Sequence, residues 1–491
     1  MKIYRSRPGT GFRNGVLGFL ILIGAGSWGC AGGLGAQHAW EQPPPALKQG
    51  PVVSAEALTR VRLDNGLTVI VLEDHRLPTV SLGVTVRSGA GSVPRDRAGL
   101  ARLVAELMNR GAGDRDALAL AEAVDALGAS LSVSAGWDSM SVDVSGLSRD
   151  LDFLLSILAD VVLEPRFDAG EFEKARTEQL AALEAANDNP AELVRREAME
   201  ILYPKHRYGL PTSGRKETIE SLDREAVRDL HRRFFVPGNA IVSVSGDVDA
   251  DRFVAALGSV FGGWSAEAGA ASSFASTPAP PAITPGARRI LIADKPDLNQ
   301  ARIIIAHEGI ARKDPRRIIA GLMNATLGGS GFSSRLMAKL RSEEGLTYGV
   351  RSGFGMRSRP GPFSISTFTR VAETRRAVDL LLEQLEGMRK SNPQSPAELA
   401  DAKSYNVGQF GLGLETSAAV TAGLVSLDVY GLPADSLDTY RARVSQVTAA
   451  QTRRVAEELL HPSRAAIILL GPANVLAPQF EDMGQVEVVK P

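Results

Sequence analysis

One cysteine, Cys30, stands in a chain of 491 residues, so internal disulfides and cysteine-based zinc sites are excluded. Histidine is nearly as scarce. His38, His75, His206, His231, His307 and His461 make up the whole set, and no two stand three or four apart, so no imidazole pair comes from one helical turn. An excess of either charge is also missing: a formal net charge of -1 and a pI near 6.6 leave no overall basic field to recruit nucleic acid. No GxSxG elbow or Gly-Lys-Ser/Thr phosphate loop occurs, no dinucleotide fingerprint stands in a strand-turn-helix setting, and serine or cysteine hydrolase chemistry has no nucleophile in a suitable setting. What the chain does have is 44% hydrophobic and 23% charged residues, enough length for more than one core.

Lys2, Arg5, Arg7 and Arg13 precede an uncharged run from Asn14 to Ala36 with an apolar centre, VLGFLILIG. This reads as an export signal, and residues 1–36 are assigned to it. The run is nearly long enough to span a bilayer, so an uncleaved anchor is an alternative. Gly29-Cys30 resembles the lipid-modified cysteine of bacterial lipoproteins, and cleavage near Ala36 by an ordinary signal peptidase is the other route. The expected location is the periplasm or the cell envelope. Residues 37–57, with Pro43-Pro44-Pro45, read as an extended tether.

From residue 58 the patterning is that of a folded domain. LTRVRLDNGLTVIVLED reads as a hairpin turned by Asp64-Asn65-Gly66, and TVSLGVTV as a strand. Helical spacing follows in LARLVAELMNRG and LALAEAVDALG, two alternating strands in ASLSVSAGWDSMSVDVSGL, and helices in LDFLLSILADVVL and from Ala169 to Ala186. The half closes on the strand NAIVSVSGDV. Residues 266–288, almost uncharged and rich in Ala, Ser and Pro, read as a linker between domains 58–265 and 289–480. The second half repeats the first: Val236-Pro237 before AIVSVSG is echoed by His461-Pro462 before AAIILLG, and Gly246 and Gly471 are 225 residues apart. Glu164-Pro165 likewise answers Asn392-Pro393. A strand-helix-strand-strand-helix-helix order used twice predicts duplicated α+β domains.

The stretch Gly328 to Phe354, GGSGFSSRLMAKLRSEEGLTYGVRSGF, carries the most specific polar residues. Ser333 or Ser334 is expected to cap a helix with Leu336, Met337 and Leu340 on its apolar face, Gly345 to end it in the left-handed conformation, and Tyr348 to open the next strand. Arg341 and Tyr348 then flank a helix-to-strand corner from which a fork of donors and a hydroxyl reach one bound peptide backbone. The competing reading pairs Arg341 with Glu343 or Glu344 at the surface.

Together these residues resemble the insulinase-like (pitrilysin, M16) peptidase family. There, a Gly-rich loop, a helix ending in Arg and a Tyr seven positions later form a substrate-holding pair, matched here by Arg341 and Tyr348. The resemblance covers roughly Val61 to Pro472. It implies an α+β fold of two similar domains, each a mostly antiparallel sheet with helices packed on it. Active members carry HxxEH on a first-domain helix, two imidazoles for zinc and a glutamate as general base. The stretch that matches by context, GLARLVAELMNRG, has Arg102, Ala105 and Glu106 instead, and the distal ligand position falls at Ala182 or the neighbouring Glu184. The chain therefore resembles the non-catalytic subunit of an obligate pair: it binds no cofactor itself, its homologous partner brings HxxEH and zinc, and together they act on peptides or unfolded polypeptides. An edge strand around Ser130 to Ser139 is expected to add to an extended peptide, although the family often has Asn where Ser132 stands. The alternative is a structural or peptide-binding protein with no part in proteolysis.

Overall fold

The computed structural model describes residues 50–54, 56–265 and 288–490. The export segment with Cys30, residues 37–49 and 55 of the proline tether and all but the last residue of the linker lie outside them.

Runs in which β-branched residues alternate with small polar ones become strands, as the pleat requires. The first sheet contains β1 (Leu58–Arg62), β2 (Thr68–Glu73), β3 (Thr79–Val86), β6 (Ser130–Ala135), β7 (Met140–Leu147) and β8 (Ala240–Gly246); β4 (Gly111–Ala112) and β5 (Arg115–Asp116) form a small separate ladder. Its order is β1-β2-β8-β3-β7-β6, parallel only between β2 and β8. Around it run α1 (Leu100–Met108), α2 (Ala117–Asp125), α3 (Leu151–Leu163), α4 (Ala169–Ala186), α5 (Pro190–Leu202), α6 (Lys216–Glu220), α7 (Arg224–Phe234) and α8 (Ala250–Phe261).

The second sheet is built from β9 (Arg289–Asp294), β10 (Gln300–Glu308), β11 (Val350–Phe354), β12 (Pro362–Arg370), β13 (Ala466–Gly471) and β14 (Gln485–Val489), in the order β11-β12-β10-β13-β9-β14. Setting β9, β13, β10, β12 and β11 against β2, β8, β3, β7 and β6 matches both order and direction, including the parallel β9–β13 pair. The halves differ at one margin, where β14 runs parallel to β9 but β1 antiparallel to β2. This strand also carries the second domain past the residue 480 boundary expected from sequence. The helices of this half are α9 (Arg317–Asn324), α10 (Arg335–Met337), α11 (Thr374–Arg389), α12 (Pro396–Leu412), α13 (Ser417–Tyr430), α14 (Tyr440–Gln446), α15 (Ala449–Leu459) and α16 (Ala473–Leu476).

Each sheet has one face in its own core. Val69, Val71, Val242 and Val244 pack with Leu103 and Leu107 of α1 and Ile157 of α3; Ile303, Ile305, Ile467 and Leu469 pack with Leu381 and Leu385 of α11. The opposite faces are covered reciprocally. Val420, Leu424 and Leu427 of α13 lie on Ile70, Leu72 and Ile241 of the first sheet, while Leu193, Val194 and Ala198 of α5 lie on Leu291, Ile304, Ile468 and Leu470 of the second. Both lent helices have well-made starts: Asn189 accepts from the amides of Ala191 and Glu192 with Pro190 in the first turn, and Thr416 accepts from Ala419. Burying each such leucine is worth about 1.5–3 kcal/mol, so the two halves stabilise one another.

Candidate functional site

On α1 the residues at the HxxEH-like positions do not converge as a ligand set. Arg102 and Glu106 are exposed on the helix, and Ala105 is buried in the first core. Glu106 is held by Arg110 one turn on, through Nη2 at 2.7 Å and Nε at 3.2 Å. Arg110 also binds Glu178 and lies 3.5 Å from Glu171, both on α4. These contacts hold the Glu178 carboxyl below its usual range, the Arg110 hydrogen bond being the chief cause. The stripe Glu171–Ala175–Glu178 that faces α1 continues by helical spacing to Ala182, whereas Glu184 lies off it. Both are exposed. The Arg110 cluster was not read from the sequence; a basic residue four after Glu106 was its only local sign.

His206 and His231 serve packing. His206 accepts from the amide of Tyr208 through Nδ1 at 3.1 Å, and His231 bonds the Val162 carbonyl through Nε2 at 2.9 Å while stacking on Phe235. Among the described residues no group of three His, Cys, Asp or Glu is placed to hold a metal ion.

In the second half the Gly-rich segment passes through a π-helical turn, Ala325–Gly329, and a short 3-10 turn, Gly331–Ser333, before α10. Beyond α10 the chain continues as another π-helical turn, Ala338–Glu343, so the expected helix is shorter in α form and wider at its end. Ser334 is the cap residue by position, but its hydroxyl donates to the Gly331 carbonyl at 2.7 Å and leaves the helix amides alone. Gly345 has φ +62°, the left-handed stop expected of it. The strand starts at Val350, two residues later than expected. Thr369 and Thr367 donate to the carbonyls of Leu346 and Gly349 at 2.8 and 2.9 Å, which fixes the segment carrying Tyr348.

Arg341 reaches across this corner. Its Nη1 donates to the backbone carbonyl of Tyr348 at 3.0 Å, and its guanidinium lies over the Phe332 ring at 4.6 Å. Among the described residues it has no carboxylate partner, because Glu343 and Glu344 are taken by Lys339, and Glu344 also by Arg376. Tyr348 and Phe332 are 79% and 74% exposed. One guanidinium and two rings therefore stand together in solvent, with the remaining Arg341 N–H groups and the Tyr348 hydroxyl open to a ligand.

A second arginine anchors this corner. Arg335 forms a two-pronged pair with Glu398, Nε and Nη2 each 2.7 Å from a carboxylate oxygen, and donates to the carbonyls of Asn392 and Pro393. Glu398 also accepts from the amide and hydroxyl of Ser395, closing a capping box at the start of α12. Its pKa falls to about 2, chiefly through Arg335. The Ser-Pro-Ala-Glu run was a readable capping signal, but nothing local linked it to Arg335, 63 residues away.

In the first half β6 ends its sheet, as the edge-strand expectation required. Ser130, Ser132 and Ser134 point to the face that α13 partly roofs, and between sheet and helix lies a cavity of about 560 Å³.

Two family models match the chain: that of the insulinase family, peptidase family M16, over residues 68–216, and that of the peptidase M16 inactive domain over residues 221–406. An uncharacterized zinc protease of Streptomyces coelicolor is 23% identical over 84% of this chain and 89% of its own length. Another, of Mycobacterium tuberculosis, is 27% identical over 87% and 96%. Among solved structures, a peptidase M16 inactive domain from Pseudomonas fluorescens superposes with TM-score 0.78 at 26% identity, covering 84% of this chain and 98% of that one. A protease from Helicobacter pylori superposes with TM-score 0.74 at 20% identity over 84% and 99%.

Proposed function

Because the chain belongs to peptidase family M16, we propose that it is the substrate-holding subunit of a two-chain peptidase whose zinc is brought by a homologous partner carrying HxxEH. The observation that carries this reading is the contrast between the two halves. On α1 a cation, a methyl group and a carboxylate already held by Arg110 offer no imidazole, and this donor set does not fit zinc. At the second-half corner, Arg341 and Tyr348 remain accessible and, among the described residues, face no competing carboxylate.

In this reading Arg341 donates to a carbonyl of an extended peptide, and the Tyr348 hydroxyl to a neighbouring one, so that the substrate is oriented before it meets the partner's metal site. Phe332 keeps the guanidinium plane in place. The edge of β6 supplies backbone pairing. Export by the N-terminal segment belongs to the same proposal; fractionation, with an intact mass reporting cleavage or a lipid on Cys30, tests it.

The Arg341 bond to the Tyr348 carbonyl favours a second reading, in which Arg341 only closes the corner and the protein is a structural or peptide-binding member of the family. Co-expression with an HxxEH-bearing homologue from the same genome separates the two. Arg341→Ala should leave assembly intact and lower peptidase activity roughly ten- to a hundred-fold, the equivalent of about 1.5–3 kcal/mol for a charged donor; Tyr348→Phe should cost less, about 0.5–1.5 kcal/mol. The chain alone should carry no stoichiometric zinc by elemental analysis and cleave no unfolded peptide. Bound zinc with chelator-sensitive hydrolysis by the lone chain would overturn the proposal, and loss of folding in Arg341→Ala would favour the second reading.

A further inference from the structure

The cavity beside β6 has an unusual chemistry for its size. In cross-strand register its floor is a grid: Ser130, Ser145, Ser81 and Ser245 in one row, Ser132, Asp143, Gly83 and Ser243 in the next, Ser141 and Thr85 in the third, with Ser134 beside Ser141 just outside the lining. The opposite residues of the same strands, Val142, Val144, Leu82, Val84, Val242 and Val244, fill the core, so the strict alternation leaves hydroxyls on the cavity side. Amid them stands one carboxylate.

Asp143 is exposed toward the cavity, on the sheet face that α13 partly roofs. Among the described residues its one hydrogen-bonded side-chain partner is Ser141, which donates at 2.7 Å. No cation among the described residues stands near enough to favour its ionised form, and desolvation against the sheet pushes its pKa upward. Gly83, directly opposite, keeps space for it: a Cβ there would lie 2.7 Å from Asp143 Oδ1. The sheet thus has a carboxylate set over a bare glycine, with no positive partner among the described residues.

The neighbouring edge indicates where such a partner comes from. On an extended peptide added to β6, alternate side chains point to the cavity side, opposite Ser130, Ser132 and Ser134. Two strand spacings, about 9.6 Å, then separate its backbone from that of β7. A Lys or Arg stem is long enough to lie across the intervening strand, and Ser132, paired directly with Asp143, is small enough to leave that lane open. Apolar or short side chains at the same position would leave the carboxylate unpaired.

We propose that Asp143 and the hydroxyl grid around it form a subsite for a basic side chain of an extended peptide held on β6, which makes the substrate class a cationic polypeptide. This rests on the reading that the chain holds substrate. The partner is the peptide-borne ammonium or guanidinium, and free small cations are the competing source of the same chemistry.

Fluorescence anisotropy with two labelled extended peptides, identical except for Lys or norleucine at one position, tests it on the full chain. The parent should bind the Lys peptide about ten-fold more tightly, with the difference shrinking as salt is raised. Asp143→Asn should abolish the difference and Asp143→Glu keep part of it. Ser132→Leu, which leaves the carboxylate but fills the lane, should also reduce it, while Arg341→Ala should weaken both peptides alike. Equal binding of both peptides by the parent, or a preference that survives Asp143→Asn, overturns the subsite and leaves the holding role of Arg341 standing. Failure to bind either peptide, alone or with the partner, overturns both. If spermidine or lysine amide binds at Asp143 while the peptides are not discriminated, the site is one for small cations and the peptide assignment falls.

Discussion

Glu398→Gln is the most direct test of how the Arg341 corner is held. The carboxylate receives two bonds from Arg335 and two from Ser395, and its pKa lies near 2, against 4.5 for the free group. Because the folded pKa is the lower one, the unfolded chain takes up the proton first as pH falls. The stabilisation is thus complete above pH 4.5 and is lost as pH drops toward 2. The full shift corresponds to about 3.4 kcal/mol; with the Glu398 side chain 33% exposed, solvent screening reduces this to about 2 kcal/mol. Urea titrations of parent and variant should show that gap at neutral pH and a gap smaller by about two-fifths near pH 3.5. Acid-sensitive groups elsewhere act on both chains equally, so the difference isolates Glu398. A gap that stays constant over this range, or no gap at neutral pH, would refute the assignment of the stabilisation to an ionised Glu398.

Other expectations follow from the packing and the buried imidazoles. Leu424→Ala on α13 should cost about 2–4 kcal/mol, and hydrogen exchange should show loss of protection in the strands of both sheets together; separate transitions for the two halves would refute the reciprocal packing. His307, His231 and His461 have pKa values lowered to about 3, 4 and 4, mainly by burial. Here the unfolded state also binds protons first, so stability should fall as pH drops from 6.5 toward 3, and His307→Gln should flatten that slope in urea midpoints. Phe332→Ala should leave stability nearly unchanged but free the Arg341 guanidinium, weakening peptide binding by the equivalent of about 0.5–1 kcal/mol. A large drop in melting temperature would show that Phe332 is part of the fold instead.

The parts of this fold legible in the sequence are those governed by neighbours along the chain. Alternation located β2, β3, β6, β7 and β8, and the limits of α4, Ala169 to Ala186, coincided with the expected ones. The echo of AIVSVSG in AAIILLG anticipated two sheets of matching order because equivalent strands occupy equivalent places. What depended on distant partners was not legible. The apolar residues of α5 and α13 announce helices with a buried side, yet nothing in either segment says that the buried side belongs to the other half. Arg335 and Glu398, or Arg110 and Glu178, become pairs only through tertiary placement. The serines of β6 and β7 read as a solvent face, and only the roof supplied by α13 turns that face into a cavity.

The matched strand orders also give the asymmetry of the chain a physical meaning. α1 lies in the connection from β3 to β6, and the Arg341 corner lies in the equivalent connection from β10 to β11, each leading to the outermost strand of its sheet. The two connections thus hold equivalent places in the repeat but have taken different chemistry. In the first, Arg110 draws Glu106, Glu171 and Glu178 together, so the polar residues are spent on joining α1 to α4. In the second, Arg335 does the joining, tying α10 to the start of α12, and that leaves Arg341 free of carboxylates among the described residues. A guanidinium with no ion pair, backed by an aromatic ring, costs little stability to redirect toward a new acceptor. The same cannot be said of Glu106, whose removal from Arg110 would break a network of ion pairs. Ligand contact is therefore easier to obtain from the second connection than from the first, and the open side of β6 and the Asp143 cavity give the first half its own means of meeting a peptide.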